Sequence, residues 1–194
     1  MIYNLPTSAE FNHRQYPIRT DFRVMLEIIE ALNDPDLNGR ARAEAAITMF
    51  YPDCDALPDY PAAVRFFLWF LSGGHPEPGN RSPRLVDWER DFRFLIAPVN
   101  RVLGFDARGV PYDPVENTGG LHWWTFLAAY MEIGRDCTMS AVLTIRDKRA
   151  RGAKLEKAER EWYRRHRELV DLPAQYTPQD EELFRRLARG EMGG

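Results

Sequence analysis

The stretch that decides the fold is residues 66–71, which read Phe-Phe-Leu-Trp-Phe-Leu and stop at Gly73-Gly74. A second stretch, residues 121–127, reads Leu-His-Trp-Trp-Thr-Phe-Leu. Each places more bulky apolar side chains in two helical turns than one core-facing stripe can bury. Such a surplus is typical of a deeply buried helix or of a surface kept for a partner. The pattern therefore favours an assembly or interaction protein over an enzyme.

Outside these stretches, apolar residues recur at three- and four-residue steps between residues that can begin or end a helix. Helices are expected to begin at Thr20-Asp21, which supply capping oxygens, after Asn38-Gly39, at Asp59-Tyr60-Pro61, where proline occupies the first turn, and at Asp87, which caps the next helix. No strand pattern of convincing length is visible. The sequence predicts an all-α fold, a compact multi-helix domain with an extended N-terminal arm and a charged C-terminal helix.

The chain divides into four predicted segments. They are an extended arm (1–18), a helical core domain (19–145), a charged basic segment (146–172) and a C-terminal extension (173–194). The charged helix is expected over residues 154–169, and a last short helix over residues 178–188. The predicted core consists of Phe22, Leu26, Ile29, Phe67, Phe70, Leu71, Phe92, Leu95, Trp124 and Leu127.

Residues of catalytic type do not form a catalytic or metal-binding pattern. The four histidines never stand at ligand spacing from one another, so we expect no metal and no cofactor. Cys54 lies between two aspartates, which disfavour the thiolate, and Cys137 has no cysteine near it. His122 is interpreted as a helix-start residue whose ring bonds the backbone. No apolar stretch is long enough to span a bilayer, so no membrane association is expected.

The charge is unevenly distributed along a chain whose formal net charge is −3. Residues 146–167 contain ten Lys or Arg against four Asp or Glu. The acidic residues stand three or four positions from basic ones, as on a solvated helix or a protein-binding face. A nucleic-acid-binding regulator that uses this helix is the alternative, and a small hydrolase is a third hypothesis.

Several pieces of sequence, taken together and in order, carry a family resemblance. They are Tyr16–Arg23, Asn33–Pro35, Leu68–Gly74, Trp88–Asp91, Leu121–Phe126 and the basic helix after Ile145-Arg146. With them the chain resembles the bacteriophage gene-product-fifteen family, which is encoded among siphophage tail genes. The resemblance covers roughly residues 14–170. It implies no active site.

The resemblance implies a tail assembly chaperone that coats the tape-measure protein while tail-tube subunits polymerise around it. Tail-tube protein, a second chaperone and another copy of this chain are further candidate partners. The expected location is the cytoplasm of the infected bacterium, and the mature virion is expected to lack the protein.

The predicted partner-binding residues combine aromatic and basic side chains: Trp69, Trp123, Trp162, Tyr163, Arg146 and Lys148. Trp123 is preferred among them. On a helix it points about 100° away from Trp124, so one core is not expected to bury both.

Overall fold

The computed structural model describes residues 4–75, 83–172, 186 and 189. The chain forms two compact units. The first unit comprises Met1–Glu77, Val110–Leu127 and Gln175–Gly194, and the second comprises Pro78–Gly109 and Ala128–Ala174. The fold is mostly helical, as predicted, with two small two-stranded sheets in the described residues.

An antiparallel hairpin in the first unit replaces the expectation that the sequence contains no strands. Strand β1 (Ser8–Phe11) pairs with β2 (Arg14–Pro17), and Asn12 and His13 turn the chain with positive φ. Ala9 and Phe11 are both buried and stand two positions apart, which is the two-residue period of a strand. Four residues are too few for that period to stand out in the sequence. A second pair, β3 (Tyr112–Asp113) and β4 (Thr118–Gly119), lies in the same unit.

Three helices complete most of the first unit. They are α1 (Phe22–Asn33), α2 (Gly39–Phe50) and α3 (Tyr60–Leu71). The predicted helix starts are confirmed, and at each one a side chain accepts a first-turn N–H: Asp21 from Arg23, Asn38 from Ala41 and Asp59 from Ala62. Gly73 and Gly74 follow α3 with φ of 74° and 80°, as predicted for its C-terminal end.

Aromatic rings fill the core of the first unit. Phe22 stacks on Phe126 with ring centroids 4.6 Å apart. Phe50 contacts Phe67 at 5.3 Å and Phe70 at 5.1 Å. These rings come from α1, α2, α3 and the second aromatic stretch, so the core joins both aromatic stretches to α1 and α2.

The second unit contains the other helices of the described residues. They are α4 (Trp88–Leu103), α6 (Thr138–Ala150), α7 (Lys157–Arg165), α8 (Arg167–Val170) and the second half of α5 (Trp123–Met131). Asp87 caps α4, as predicted, and Gly104, at φ 77°, ends it. Pro98 lies inside α4 and cannot supply the N–H that normally bonds the carbonyl of residue 94.

The charged helix predicted over residues 154–169 is wrong in its bounds. A capping box between Glu156 and Glu159 sets the start of α7 at Lys157. His166, with φ −124° and ψ 31°, separates α7 from α8. The predicted helix over residues 178–188 lies outside the described residues, apart from Arg186.

The core prediction is partly confirmed. Phe22, Phe67, Phe70 and Leu95 are fully buried. The remaining predicted residues are only half-buried: Leu26, Ile29, Leu71, Phe92, Trp124 and Leu127. On α1 the buried side chains include Val24, Met25 and Ile28, so the helix is rotated relative to the predicted stripe. Along residues 4–75 and 83–172, no helix is long and apolar enough to cross a membrane.

Candidate functional site

A buried aspartate joins two of the sequence motifs in the first unit. Asp21 is 1% exposed, and its carboxylate accepts from the N–H of Leu121 at 2.8 Å. The same carboxylate binds the Arg23 guanidinium at 2.7 and 3.0 Å. A Cβ on Gly120 would lie 2.3 Å from Asp21 Oδ2, so only glycine fits there. The start of α1 is therefore fixed against the segment that leads into α5.

The two adjacent tryptophans of α5 bind the end of α3. The indole N–H of Trp123 donates to the carbonyl of Leu71 at 3.0 Å. That of Trp124 donates to the carbonyl of Phe70 at 2.8 Å. Carbonyls in the last turn of a helix lack partners within the helix, and these side chains supply them. A Cβ on Gly74 would lie 2.7 Å from Cη2 of Trp124, so glycine makes room for the ring.

The prediction that Trp123 offers an exposed surface is wrong. The residue is 1% exposed, and its ring stacks on Phe126 at 5.9 Å. Trp123 and Trp124 do point in different directions on α5, but both indoles donate hydrogen bonds to carbonyls at the end of α3. Trp124, predicted as core, is the more exposed of the two.

Three half-buried rings form a continuous apolar surface in the first unit, which we name the aromatic ridge: Phe66, Trp69 and Trp124. The ring centroid of Trp69 lies 5.2 Å from that of Phe66 and 5.1 Å from that of Trp124. The predicted residue Trp69 therefore occupies the middle of the ridge. The tryptophan of α5 that accompanies Trp69 on this surface is Trp124 and not the predicted Trp123.

The interpretation of His122 as a helix-start residue bonded to the backbone is confirmed. Its Nδ1 accepts from the N–H of Trp124 at 3.1 Å, and its Nε2 lies 3.0 Å from the carbonyl oxygen of Pro6. An accepting Nδ1 requires the proton on Nε2, which donates to Pro6. Burial lowers the pKa of His122 from its ordinary value of 6.5, partly offset by the bond to Pro6. The neutral ring thus caps α5 and holds the N-terminal segment.

This lowered pKa predicts a loss of stability in mild acid. Between the folded and unfolded pKa values, the unfolded chain binds more protons at this histidine, so the free energy of unfolding falls as pH drops below about 6.5. We expect denaturant unfolding to show a smaller loss between pH 7.5 and 5.5 in His122→Asn, whose side-chain oxygen can still cap α5. An identical pH dependence in both proteins would contradict this assignment.

A buried ion pair organises the second unit. Arg146 is 5% exposed and Asp91 is 3% exposed. The guanidinium Nη1 and Nη2 atoms donate to the two carboxylate oxygens at 2.5 and 3.0 Å. The remaining donors reach three backbone carbonyls at 2.6–2.8 Å: those of Leu85, Leu169 and Val170. Every N–H group of Arg146 therefore has a partner inside this unit.

The prediction of Arg146 as a surface residue for a partner is therefore wrong. Its position in the basic run suggested a solvated charge. Instead the side chain is buried in an ion pair with Asp91, which lies 55 residues away in sequence. Asp91 itself was not singled out in the sequence. Its position four residues after the capping Asp87, whose N–H it accepts at 2.9 Å, was the available signal.

The other predicted residues of the second unit are half-buried and occupied by local contacts. Lys148 pairs with Glu159 at 2.5 Å. The Tyr163 hydroxyl donates to Asp171 at 2.9 Å, and Trp162 stacks on His166 at 4.3 Å. Binding of a partner by these three residues stays a prediction.

Carboxylates also neutralise much of the basic run. Besides Arg146 and Lys148, the following arginines form ion pairs: Arg149 with Asp171, Arg151 with Asp147, Arg165 with Glu161 and Arg167 with Asp171. These carboxylates lower the positive potential that phosphates would meet on this segment. We therefore do not propose the nucleic-acid alternative.

Sequence reasoning missed a cleft in the second unit, between α4 and the start of α6. It is lined by Arg93, Phe94, Ala97, Pro98, Arg101, Asp136, Cys137 and Thr138. The signal in the sequence was the recurrence of lining positions on α4 at steps of three and four residues. Within the described ranges, no group of His, Cys, Asp or Glu side chains converges closely enough to hold a metal ion.

Comparison with known families identifies the family of this chain. Residues 1–77 and 112–172 match the family model described as Bacteriophage Gp15 protein, well over half of the chain. The chain belongs to the bacteriophage Gp15 family. Most of the motifs that carried the sequence resemblance lie within the matched residues, but Trp88–Asp91 lies outside them. No curated protein and no solved structure matches the chain significantly.

Membership in the Gp15 family bounds the function. It indicates a phage structural or assembly-related protein. The Gp15 family is not a known enzyme family. The matched residues include the buried Asp21, both tryptophans that bind the end of α3, and all three rings of the aromatic ridge.

Proposed function

We propose that this Gp15 family member is a non-enzymatic tail assembly chaperone that binds the tape-measure protein. The observation that carries the proposal is the aromatic ridge, which leaves three large rings half-buried on a chain of the bacteriophage Gp15 family. A tape measure is a long helical rod that exposes apolar surface until the tail tube encloses it. A half-buried aromatic surface is suited to cover such a rod temporarily.

The geometry of the ridge explains why Trp69 is its expected anchor. The ring lies between Phe66, whose ring is tilted against it, and Trp124, whose ring meets it edge-on. A ring fixed in this way loses little side-chain entropy when a partner helix packs on it. Many copies along one rod turn weak individual contacts into a stable complex. Weak contacts also let tail-tube subunits displace the chaperone.

The remaining parts of the proposal concern setting and partners. The protein acts in the cytoplasm of the infected bacterium and leaves before the virion is complete. Tail-tube protein, a second chaperone and further copies of this chain are additional partners in the same assembly step. Trp162, Tyr163 and Lys148 in the second unit form a separate candidate contact.

Co-expression tests the proposal directly. The tape-measure protein of the same phage is produced with and without this chain, and its soluble fraction and co-purification are measured. We expect a higher soluble fraction and a recoverable complex. No rise in solubility and no complex with a well-folded chain would overturn the proposal.

Truncation of the ridge anchor is expected to weaken this complex strongly. Because aromatic anchors contribute about 2 kcal/mol or more, Trp69→Ala should raise the dissociation constant roughly thirtyfold. Val115→Ala is the matched control, since Val115 is 86% exposed in the same unit and lies outside the ridge. Calorimetry would measure both affinities, with circular dichroism to verify folding. Equal affinities for the two variants would exclude the ridge as the contact.

A further inference from the structure

The cleft in the second unit is a separate surface from the aromatic ridge. Its volume is about 410 Å³. One wall is the face of α4 that carries Phe94, Ala97 and Pro98, and the other is the turn at Cys137 and Thr138. Along α4 these lining positions follow steps of three and four residues, so they share one face of the helix.

The floor of the cleft is apolar and continues along the helix. Pro98 is buried, Phe94 and Cys137 are half-buried, and Ala97 is exposed. Val102 stands one turn beyond Pro98 on α4 and is 42% exposed. From residue 94 to residue 102 the helix rises about 12 Å, which matches two turns of a helix laid beside it.

The rim of the cleft has a net positive charge, because it carries Arg93 and Arg101 against Asp136. Arg93 lies over the ring of Phe94 with its guanidinium carbon 4.6 Å from the centroid. No described carboxylate forms an ion pair with Arg93. Arg101 has only a 3.6 Å contact with Asp136, whose side chain is 81% exposed. The adjoining start of α6 has neither a side-chain cap nor an acidic residue in its first turn, so its dipole adds to the positive potential.

We infer that this cleft binds an amphipathic helix whose small apolar face is flanked by carboxylates. Two arginines on the rim and an uncapped helix start complement such carboxylates, while the apolar floor takes the side chains between them. That this helix belongs to the tape-measure protein rests on the proposed function. Five of the eight lining residues lie between residues 78 and 111, outside the family match. The inference therefore concerns this chain and not the family.

A pair of synthetic helical peptides tests the inference. Both carry the same face of alanine and leucine, flanked by glutamates in one and by lysines in the other. We expect the glutamate peptide to bind at least about tenfold more tightly, although the chain as a whole is acidic and would favour the lysine peptide by net charge. Equal binding, or tighter binding of the lysine peptide, would overturn the inference.

Matched substitutions locate the binding site. Ala97→Glu places a carboxylate in the floor and should weaken the glutamate peptide about tenfold or more. Ala150→Glu, at an exposed position at the end of α6, should change binding less than about twofold. Arg93→Glu and Arg160→Glu form a second such pair, with Arg160 exposed on α7. Equal effects within each pair would place the peptide elsewhere.

The thiol of Cys137 gives a readout that does not depend on affinity. In a Cys54→Ser protein, Cys137 is the remaining cysteine, and its rate of alkylation by iodoacetamide can be followed. The glutamate peptide at saturation should slow that rate about fivefold or more, because Cys137 lines the cleft. An unchanged rate at saturation would contradict binding at this cleft.

Two further outcomes would identify a different occupant of the cleft. A chain ending at Leu172 that binds the glutamate peptide more than about tenfold tighter would identify residues 173–194 as the occupant and overturn the inference. A dimer that Ala97→Glu dissociates would instead identify a second copy.

If wild-type chain and Ala97→Glu recover the tape measure equally, the proposed function stands and the cleft is not its contact. If peptide discrimination holds but the tape measure is never recovered, the cleft inference stands and the proposed function fails.

Discussion

Arg146→Ala is expected to lower the free energy of unfolding by about 3–5 kcal/mol, because it leaves the buried Asp91 carboxylate without its counter-charge. The substitution also removes the donors to the carbonyls of Leu85, Leu169 and Val170. The loss of these donors adds to the cost, most of all at Val170, which is buried. Urea denaturation followed by circular dichroism measures the change.

Two companion variants separate the ion pair from a general loss of charge. Arg160→Ala removes an exposed arginine from the same unit and should change stability by less than about 0.5 kcal/mol. Asp91→Asn keeps the shape of the side chain and removes its charge, so it should resemble Arg146→Ala. A loss below about 1 kcal/mol in both ion-pair variants would show that the pair is not buried in solution.

Trp123→Ala is expected to cost about 3–5 kcal/mol, the range for removing a large buried aromatic side chain. The loss has two physical parts. A cavity forms beside Phe126, and the carbonyl of Leu71 loses its indole donor. Chemical denaturation of the wild-type and variant chains gives the difference.

Trp124→Ala is the natural comparison for this prediction. Trp124 also donates to α3, but its ring is half-buried, so its truncation should cost clearly less than that of Trp123. Trp123→Phe should fall between the two, since it keeps most of the apolar contact and loses the hydrogen bond. The reverse order for the two alanine variants would show that the roles of the two tryptophans are exchanged.

The sequence predicted those features that depend on local chemistry. Helix starts at Asp21, Asn38, Asp59 and Asp87 were predicted correctly because an N-cap acts within three residues of itself. The end of α3 at Gly73-Gly74 was also predicted correctly, since glycine takes the left-handed conformation there with little strain. His122 was interpreted correctly for the same reason, because one of its two bonds is to a residue two positions away.

The features that the sequence did not reveal depend on partners far along the chain. Periodicity placed Trp123 and Trp124 on different sides of α5, but only the position of α3 decides which side is buried. In the sequence Arg146 has the same charged surroundings as its solvated neighbours. Only the folded chain shows that Asp91 lies beside it. The cleft likewise requires two segments to meet, and its residues on α4 look ordinary when read alone.

The bonds between α3 and the two tryptophans also affect how the chain is made. Trp123 follows its partner Leu71 by 52 residues. A ribosome adding about 5–20 residues per second completes α3 roughly 3–10 s before either indole has been synthesised. During that interval the Phe-Phe-Leu-Trp-Phe-Leu stretch stands without the rings that later cover its end. Fragments that stop before residue 123 should therefore aggregate on expression, whereas fragments that extend past α5 should stay dispersed.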